Sequence, residues 1–203
     1  MNRLILLLLL LLKLTGCGYH PIHLSEKPTL SIPYAQGDRE GLFTAALIKK
    51  IDEKGIYELD NQGEFVLKVE LTSPENEVIG FRYDRSEITG KIEKNLMPTE
   101  NRSSVQAKVS LYKRSSEETF FPPFTVTAQA EYDYIDVNSL RDLSFITPTG
   151  RREKVVTFSL GQLDSIEGGS DNALIPLYQR LAEKISQALV IQRLESTHPS
   201  EGG

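Results

Sequence analysis

The 203-residue chain has one cysteine, Cys17, and three histidines, and each scarcity excludes chemistry. A lone cysteine forms no intrachain disulfide, so an exported fold of this composition has to be held by its core alone. His20 and His23 lie close to the N-terminus and His198 close to the C-terminus. A folded active site would use none of these positions, which argues against a histidine-based triad and against a metal cage. Net positive charge is missing too: 23 Lys and Arg face 28 Asp and Glu, for a formal charge of −5. That balance disfavours nucleic acid as a partner and gives no bulk attraction to an anionic surface, so any anion site must be local. Neither an internal repeat nor a heptad run is present. No glycine loop has the spacing that cradles phosphate. Asp60, Glu64, Asp133 and Asp136 fall at strand ends or on solvent faces, and nothing selects a catalytic pair among them. The expectation is a protein that is not an enzyme and carries no cofactor.

What is present starts at the N-terminus. Arg3 precedes a leucine run over residues 4–12, and Leu14-Thr15-Gly16-Cys17 closes it. A short basic start, an apolar run and small residues before a cut site form a secretory signal. The run is well short of the roughly 20 residues that span a bilayer. Ending on cysteine, the stretch reads as a lipobox, in which Cys17 receives a diacylglyceryl group, cleavage falls before it, and the new amino terminus is acylated. More than one chain, at about 0.8 kcal/mol per buried CH₂, anchors stably to a membrane. An ordinary signal cut elsewhere, or an uncleaved anchor, is the plainer alternative, and Lys13 is an irregularity. Gly18 in place of an aspartate favours the outer membrane over the inner. Residues 1–16 are thus read as signal peptide, 17–28 as a lipidated tether and 195–203 as a disordered tail. Between them, residues 29–194 form one domain that contains a long connecting segment, 136–170. With the signal go Arg3 and Lys13, which takes the net charge from −5 to −7.

Within the domain, Leu30, Ile32 and Tyr34 alternate with Ser31 and Pro33, predicting a short strand at a sheet edge. A helix follows, with Asp38 able to cap it, Phe43, Leu47 and Ile51 spaced by four, lysines 49, 50 and 54 at its negative end, and Gly55 to stop it. Three period-two segments come next: Phe65, Leu67, Val69 and Leu71; Val105, Ala107, Val109 and Leu111; and Phe124, Val126, Ala128, Ala130, Tyr132 and Tyr134. Each is interleaved with polar residues, the pattern of strands covered on one face. A second helix carries the stripe Leu174, Leu177, Tyr178, Leu181, Ile185 and Leu189, with Pro176 in its first turn. The prediction is an α+β two-layer sandwich, a four-stranded, mostly antiparallel sheet packed by two helices in the order β-α-β-β-β-α.

Binding is the chemistry left. Arg82, Arg85, Lys91, Lys94 and Arg102 border or occupy the connection between the second and third strands, with Arg151 and Arg152 brought to the same end. Arginine and lysine partner phosphate, arginine with a bidentate fork. The alternative is a solvated loop balanced by Asp84, Glu87, Glu93 and Glu100. At the opposite end Lys113, Arg114, Phe120 and Phe121 suggest a membrane or partner contact, or aromatics folded over the core.

Cys17-Gly18-Tyr19-His20 and the element order from Leu30 to Leu194 resemble the LPS-assembly lipoprotein LptE family of Gram-negative outer membranes, and Phe81-Arg82 ends the second strand where that family carries a basic residue. The resemblance implies an outer-membrane lipoprotein, lipid-anchored on the periplasmic side, that plugs and helps assemble the LptD β-barrel and binds lipopolysaccharide during its delivery. On that reading Arg82, Arg85 and Arg102 are the candidate lipopolysaccharide contacts. The last strand departs from the pattern, offering Gln129, Glu131 and Asp133 where the family has basic residues. An adaptor or regulator of a cell-wall synthase or transporter, sharing the anchor and the fold, is the alternative, and an envelope enzyme is a third.

Overall fold

A computed structural model describes residues 27–86, 88–116, 118–135, 144–154 and 165–197. Cys17, the three histidines, and an element expected around residues 155–160 lie outside them. The described chain runs β1 (Thr29–Ser31), α1 (Leu42–Lys54), β2 (Glu58–Leu59), β3 (Phe65–Leu71), β4 (Glu75–Arg85), β5 (Ile92–Lys113), β6 (Phe124–Asp133), β7 (Ser144–Ile146), β8 (Arg152–Lys154) and α2 (Ile166–Thr197).

The α+β class and the two helices match the expectation, but the sheet is larger than four strands. It is a curled mixed sheet of six strands, in the order β2-β1-β3-β5-β4 with β6 also on β5, and β7 and β8 form a separate hairpin. β1 is parallel to both β2 and β3, while β3, β4 and β6 are antiparallel to β5. Pro33 therefore falls after β1 rather than within an edge strand, and β2 covers the edge that was assigned to β1. The extra length comes from β5, whose 22 residues pair β3 through their C-terminal part and β4 through their N-terminal part. What looked like a loop between two strands is thus a β-hairpin, β4 with the start of β5.

The core forms where the period-two faces meet the helices. Leu67, Val105, Val109 and Leu111 on the sheet and Phe43, Leu47, Leu177, Leu181, Ile185 and Leu189 on the helices are all at most 1% exposed. The Phe43 and Tyr178 rings meet edge to face at 5.8 Å, joining α1 to α2. Asp38 caps α1 from outside the helix: its carboxylate accepts the Thr44 N–H at 2.7 Å and the Thr44 hydroxyl at 2.6 Å. Gly55, at φ 63°, ends α1 in the left-handed conformation that only glycine takes without strain.

α2 starts earlier than expected, so Pro176 lies well inside it. Proline there removes one internal hydrogen bond. Its ring sits on the exposed side, where water can take up the freed carbonyl. The early start is possible because Gly169 leaves room for Tyr132 of β6: a Cβ at that position would lie 2.7 Å from the ring. Of the long segment 136–170, the described parts are the β7–β8 hairpin and the opening turn of α2. No helix among the described residues is long and apolar enough to cross a membrane.

Candidate functional site

Alternation gives the sheet two unlike faces. The face turned from the helices carries Lys68 and Glu70 of β3, Gln106 and Lys108 of β5, and Thr127, Gln129 and Glu131 of β6, all exposed. Cross-strand register sets Glu70 opposite Lys108, Gln106 opposite Thr127 and Arg102 opposite Glu131. Lys68 Nζ stands 4.9 Å from the centre of the Tyr112 ring. Among the described residues no helix covers this face, so it is a broad plate of hydrogen-bonding groups of both signs.

The three candidate arginines do not form one cluster. Arg102 is anchored on the polar plate, its Nη2 donating to Glu131 Oε1 at 2.7 Å and its Nε to the same oxygen at 3.1 Å. That hydrogen bond, followed by the charges of Glu131, Glu77 and Glu100, raises the guanidinium pKa further above its ordinary value. Arg82 pairs in register with Met97, and Arg85 with Ile92 close to the turn. At about 3.3 Å per residue along β5, Arg82 lies roughly 17 Å and Arg85 roughly 33 Å from the level of Arg102. Arg85 Nη1 donates across the turn to the Gly90 carbonyl at 3.1 Å. The reason is the hairpin itself: what a loop would have gathered into a rim, the long β4–β5 pairing spreads along its length.

Lys113 and Arg114 lie at the opposite end, as expected, but Arg114 is structural. Its Nε donates to the Gly63 carbonyl at 2.8 Å and its Nη2 to the Asn61 carbonyl at 3.1 Å. Phe120 and Phe121 fold towards the sheet, Phe120 against Phe65 at 4.9 Å and Phe121 against Phe124 at 5.9 Å. That is the core-covering alternative.

Two features were not read from the sequence. Beneath the start of α2, the helix-facing side of the sheet turns polar: Ser103 is fully buried with its hydroxyl bonded to Asn76 Oδ1. Beside it, Asn101, 4% exposed, donates to the Tyr132 hydroxyl at 3.2 Å. The second feature is a cavity of about 780 Å³ between β6 and α2, lined by Thr127, Gln129, Glu131, Arg180 and Lys184. Arg180 and Lys184 donate to the Gln129 and Thr127 carbonyls, each at 2.7 Å. The only sequence sign of it was two cations four residues apart on one side of the apolar stripe.

These features define a class: a two-layer α+β domain with one sheet face buried under helices and the other covered by no helix among the described residues. Neither a protein-family model nor a curated protein matches the sequence. Solved structures do match. The chain is similar to a minor lipoprotein from Acinetobacter baumannii, with 16% identity and a TM-score of 0.50 over 83% of this chain and 94% of that one. It is also similar to rare lipoprotein B from Shewanella oneidensis, with 13% identity and a TM-score of 0.44 over 84% of this chain and 99% of that one. At 16% identity the first likeness is one of fold: helices and sheet are arranged as in a solved bacterial lipoprotein.

Proposed function

We propose that this protein is a lipid-anchored envelope lipoprotein which, as a non-enzymatic plug and assembly factor, occupies the lumen of an LptD-like outer-membrane β-barrel and contacts lipopolysaccharide during its passage. The observation that carries the reading is the open polar face of the sheet. A barrel lumen that conducts water presents polar side chains inward, and a rigid plate such as Lys68, Glu70, Gln106, Lys108, Gln129 and Glu131 can exchange hydrogen bonds and ion pairs with them. An ordinary soluble partner would select an apolar centre instead. The lipobox ending at Cys17 and the fold shared with a lipoprotein support the anchored location. Contact with lipid phosphates falls to Arg82 and Arg85 on the ribbon and Arg102 on the polar plate, acting separately.

The test is purification of the acylated protein from native membranes in mild detergent. A stoichiometric complex with a large β-barrel that dissociates on heating is expected. Recovery of the protein without a barrel, or a barrel that assembles normally in cells lacking the protein, overturns the proposal. Replacing Cys17 with alanine should abolish incorporation of a fatty-acid label, and continued labelling would remove the anchor.

A further inference from the structure

Beyond the end of β6, the hairpin continues, among the described residues, as a two-stranded ribbon. Tyr134 N–H to the Thr99 carbonyl, at 3.1 Å, is the last bond from the β6 side, and residues 92–98 of β5 then pair only with β4 among the described residues. Exposed apolar side chains gather on this ribbon. Phe81 is 58% exposed, Tyr83 56%, Leu96 54%, Ile92 61% and Ile88, in the turn, 92%. Register pairs Phe81 with Pro98 and Tyr83 with Leu96, so these four share one face, while Arg82 and Met97 share the other. Val78, further down β4, is 41% exposed. Exposed apolar residues gathered in this way mark an interaction surface.

Strand addition is the first candidate, and the edges oppose it. The pairing of β4 is irregular at Val78/Gly80, Gly80/Phe81 and Tyr83/Arg85, and bulges of this sort blunt an edge. The edge of β6 is occupied by Arg180 and Lys184. A single buried amphiphile is the second candidate, but the main cavities lined by described residues lie elsewhere in the fold. What remains is apolar side chains at the turn and on the ribbon face, interspersed with exposed Arg85, Lys91 and Lys94. Asp84 is buried, 6% exposed, and bonded to the Arg85 N–H at 2.8 Å, while Glu93 is exposed between Lys91 and Lys94 and offsets part of their charge, leaving cations in excess among the described residues of the tip. Aromatic and aliphatic groups with cations among them, spread around a narrow tip, suit a fluid anionic interface better than a shaped protein groove.

We propose that the β4–β5 ribbon tip is a membrane-contact element that lays Phe81, Tyr83, Ile88, Ile92 and Leu96 into the interfacial layer of an anionic phospholipid bilayer, with Arg85, Lys91 and Lys94 on the lipid phosphates. Open backbone edges forbid entry into the hydrocarbon core, so contact stops at the headgroup and upper acyl level. The tip is also at the far end of β5 from β1, where the chain emerges from the lipid tether. The element therefore adds a second, reversible membrane contact to the proposed anchor. It does not depend on a barrel partner.

The test uses the full acylated chain carrying Thr89→Cys in the turn, labelled there with a polarity-sensitive fluorophore and held in neutral phosphatidylcholine vesicles. No barrel and no lipopolysaccharide is present, so failure here leaves the plug reading standing. Adding vesicles of equal parts phosphatidylglycerol and phosphatidylcholine should shift the emission to the blue and shield the label from an aqueous quencher. Replacing Phe81, Tyr83 and Leu96 with serine should abolish the shift, and replacing Arg85, Lys91 and Lys94 with glutamine should raise the lipid concentration needed on the order of a hundredfold. These side chains are exposed, and circular dichroism should be unchanged. Emission that does not move with anionic vesicles, or that moves equally in the serine variant, overturns the proposal. So does a label that responds only to a protein partner.

Discussion

Arg180 of α2 donates Nη1 to the backbone carbonyl of Gln129 at 2.7 Å, so a helix side chain takes the place of a neighbouring strand. Lys184, one turn on, does the same for Thr127. Both cations thereby satisfy carbonyls on the open edge of β6 and stand where a foreign strand would pair. Replacing both with alanine should cost little stability, in keeping with exposed polar contacts, but should expose the edge. The expected result is self-association at raised protein concentration, seen by light scattering, with an almost unchanged thermal midpoint. A double variant as monodisperse as the parent would show that the edge is protected otherwise.

Gly169 should not tolerate alanine. In an ordinary helix interior the change would gain about 1 kcal/mol. Here the new Cβ would meet the Tyr132 ring at 2.7 Å, prising α2 from β6, and overpacking of that kind costs about 1 to 3 kcal/mol. Urea unfolding should show a lower midpoint for Gly169→Ala; a higher one would mean that the ring moves aside freely.

Asp38 holds the entry to α1. It is 3% exposed and accepts the Thr44 N–H and hydroxyl, while the Thr44 hydroxyl accepts the Ala35 N–H at 3.2 Å. Asp38→Ala removes a cap and strands buried donors, a loss of about 2 kcal/mol. Asp38→Asn keeps an acceptor and should recover most of it in the same denaturation assay.

The two helices are also tied by charge. Lys54 Nζ is 2.7 Å from Glu183 Oε1, and that hydrogen bond, with burial opposing it, holds the Glu183 carboxyl below its ordinary value. A carboxylate whose folded pKa is depressed adds stability above its unfolded pKa and loses it as pH falls through the folded value. The parent should therefore exceed Glu183→Gln by less than about 1 kcal/mol at neutral pH. The gap should close as the solution is acidified below the ordinary carboxylate pKa of about 4. A gap that is independent of pH would assign the effect to packing.

Much of the domain was legible. Strands β3 and β6 and the core half of β5 were readable because burial on one face imposes a period of two, and α1 because Phe43, Leu47 and Ile51 must meet the sheet together. β4 and the first half of β5 were not. Their residues mix Gly80, Asp84, Arg85, Asn95 and Pro98 with apolar groups, because β4 is largely exposed and the side chain it buries is Asp84, so no apolar period of two marks the segment. For the same reason Arg82 and Arg85 read as residues bordering or occupying a connection between two strands. The placement of Pro176 in the first turn of its helix failed because proline usually opens a helix, whereas here the contact of Gly169 with Tyr132 accompanies an earlier start of α2.

Sequence alone determined the elements whose hydrophobic period is enforced by burial, the segment ending at Cys17 that reads as a lipid-attachment site, and the absence of histidine or cysteine chemistry within the domain. Tertiary structure decided what those elements enclose and leave open: that β5 serves three partners, that the arginines are strung out along the β4–β5 pairing, that α2 seals the edge of β6, and that apolar side chains are exposed at the tip. Local sequence encodes which face of an element avoids water. Which faces find a partner depends on strand register and helix placement, and those are set by contacts between residues far apart in the chain.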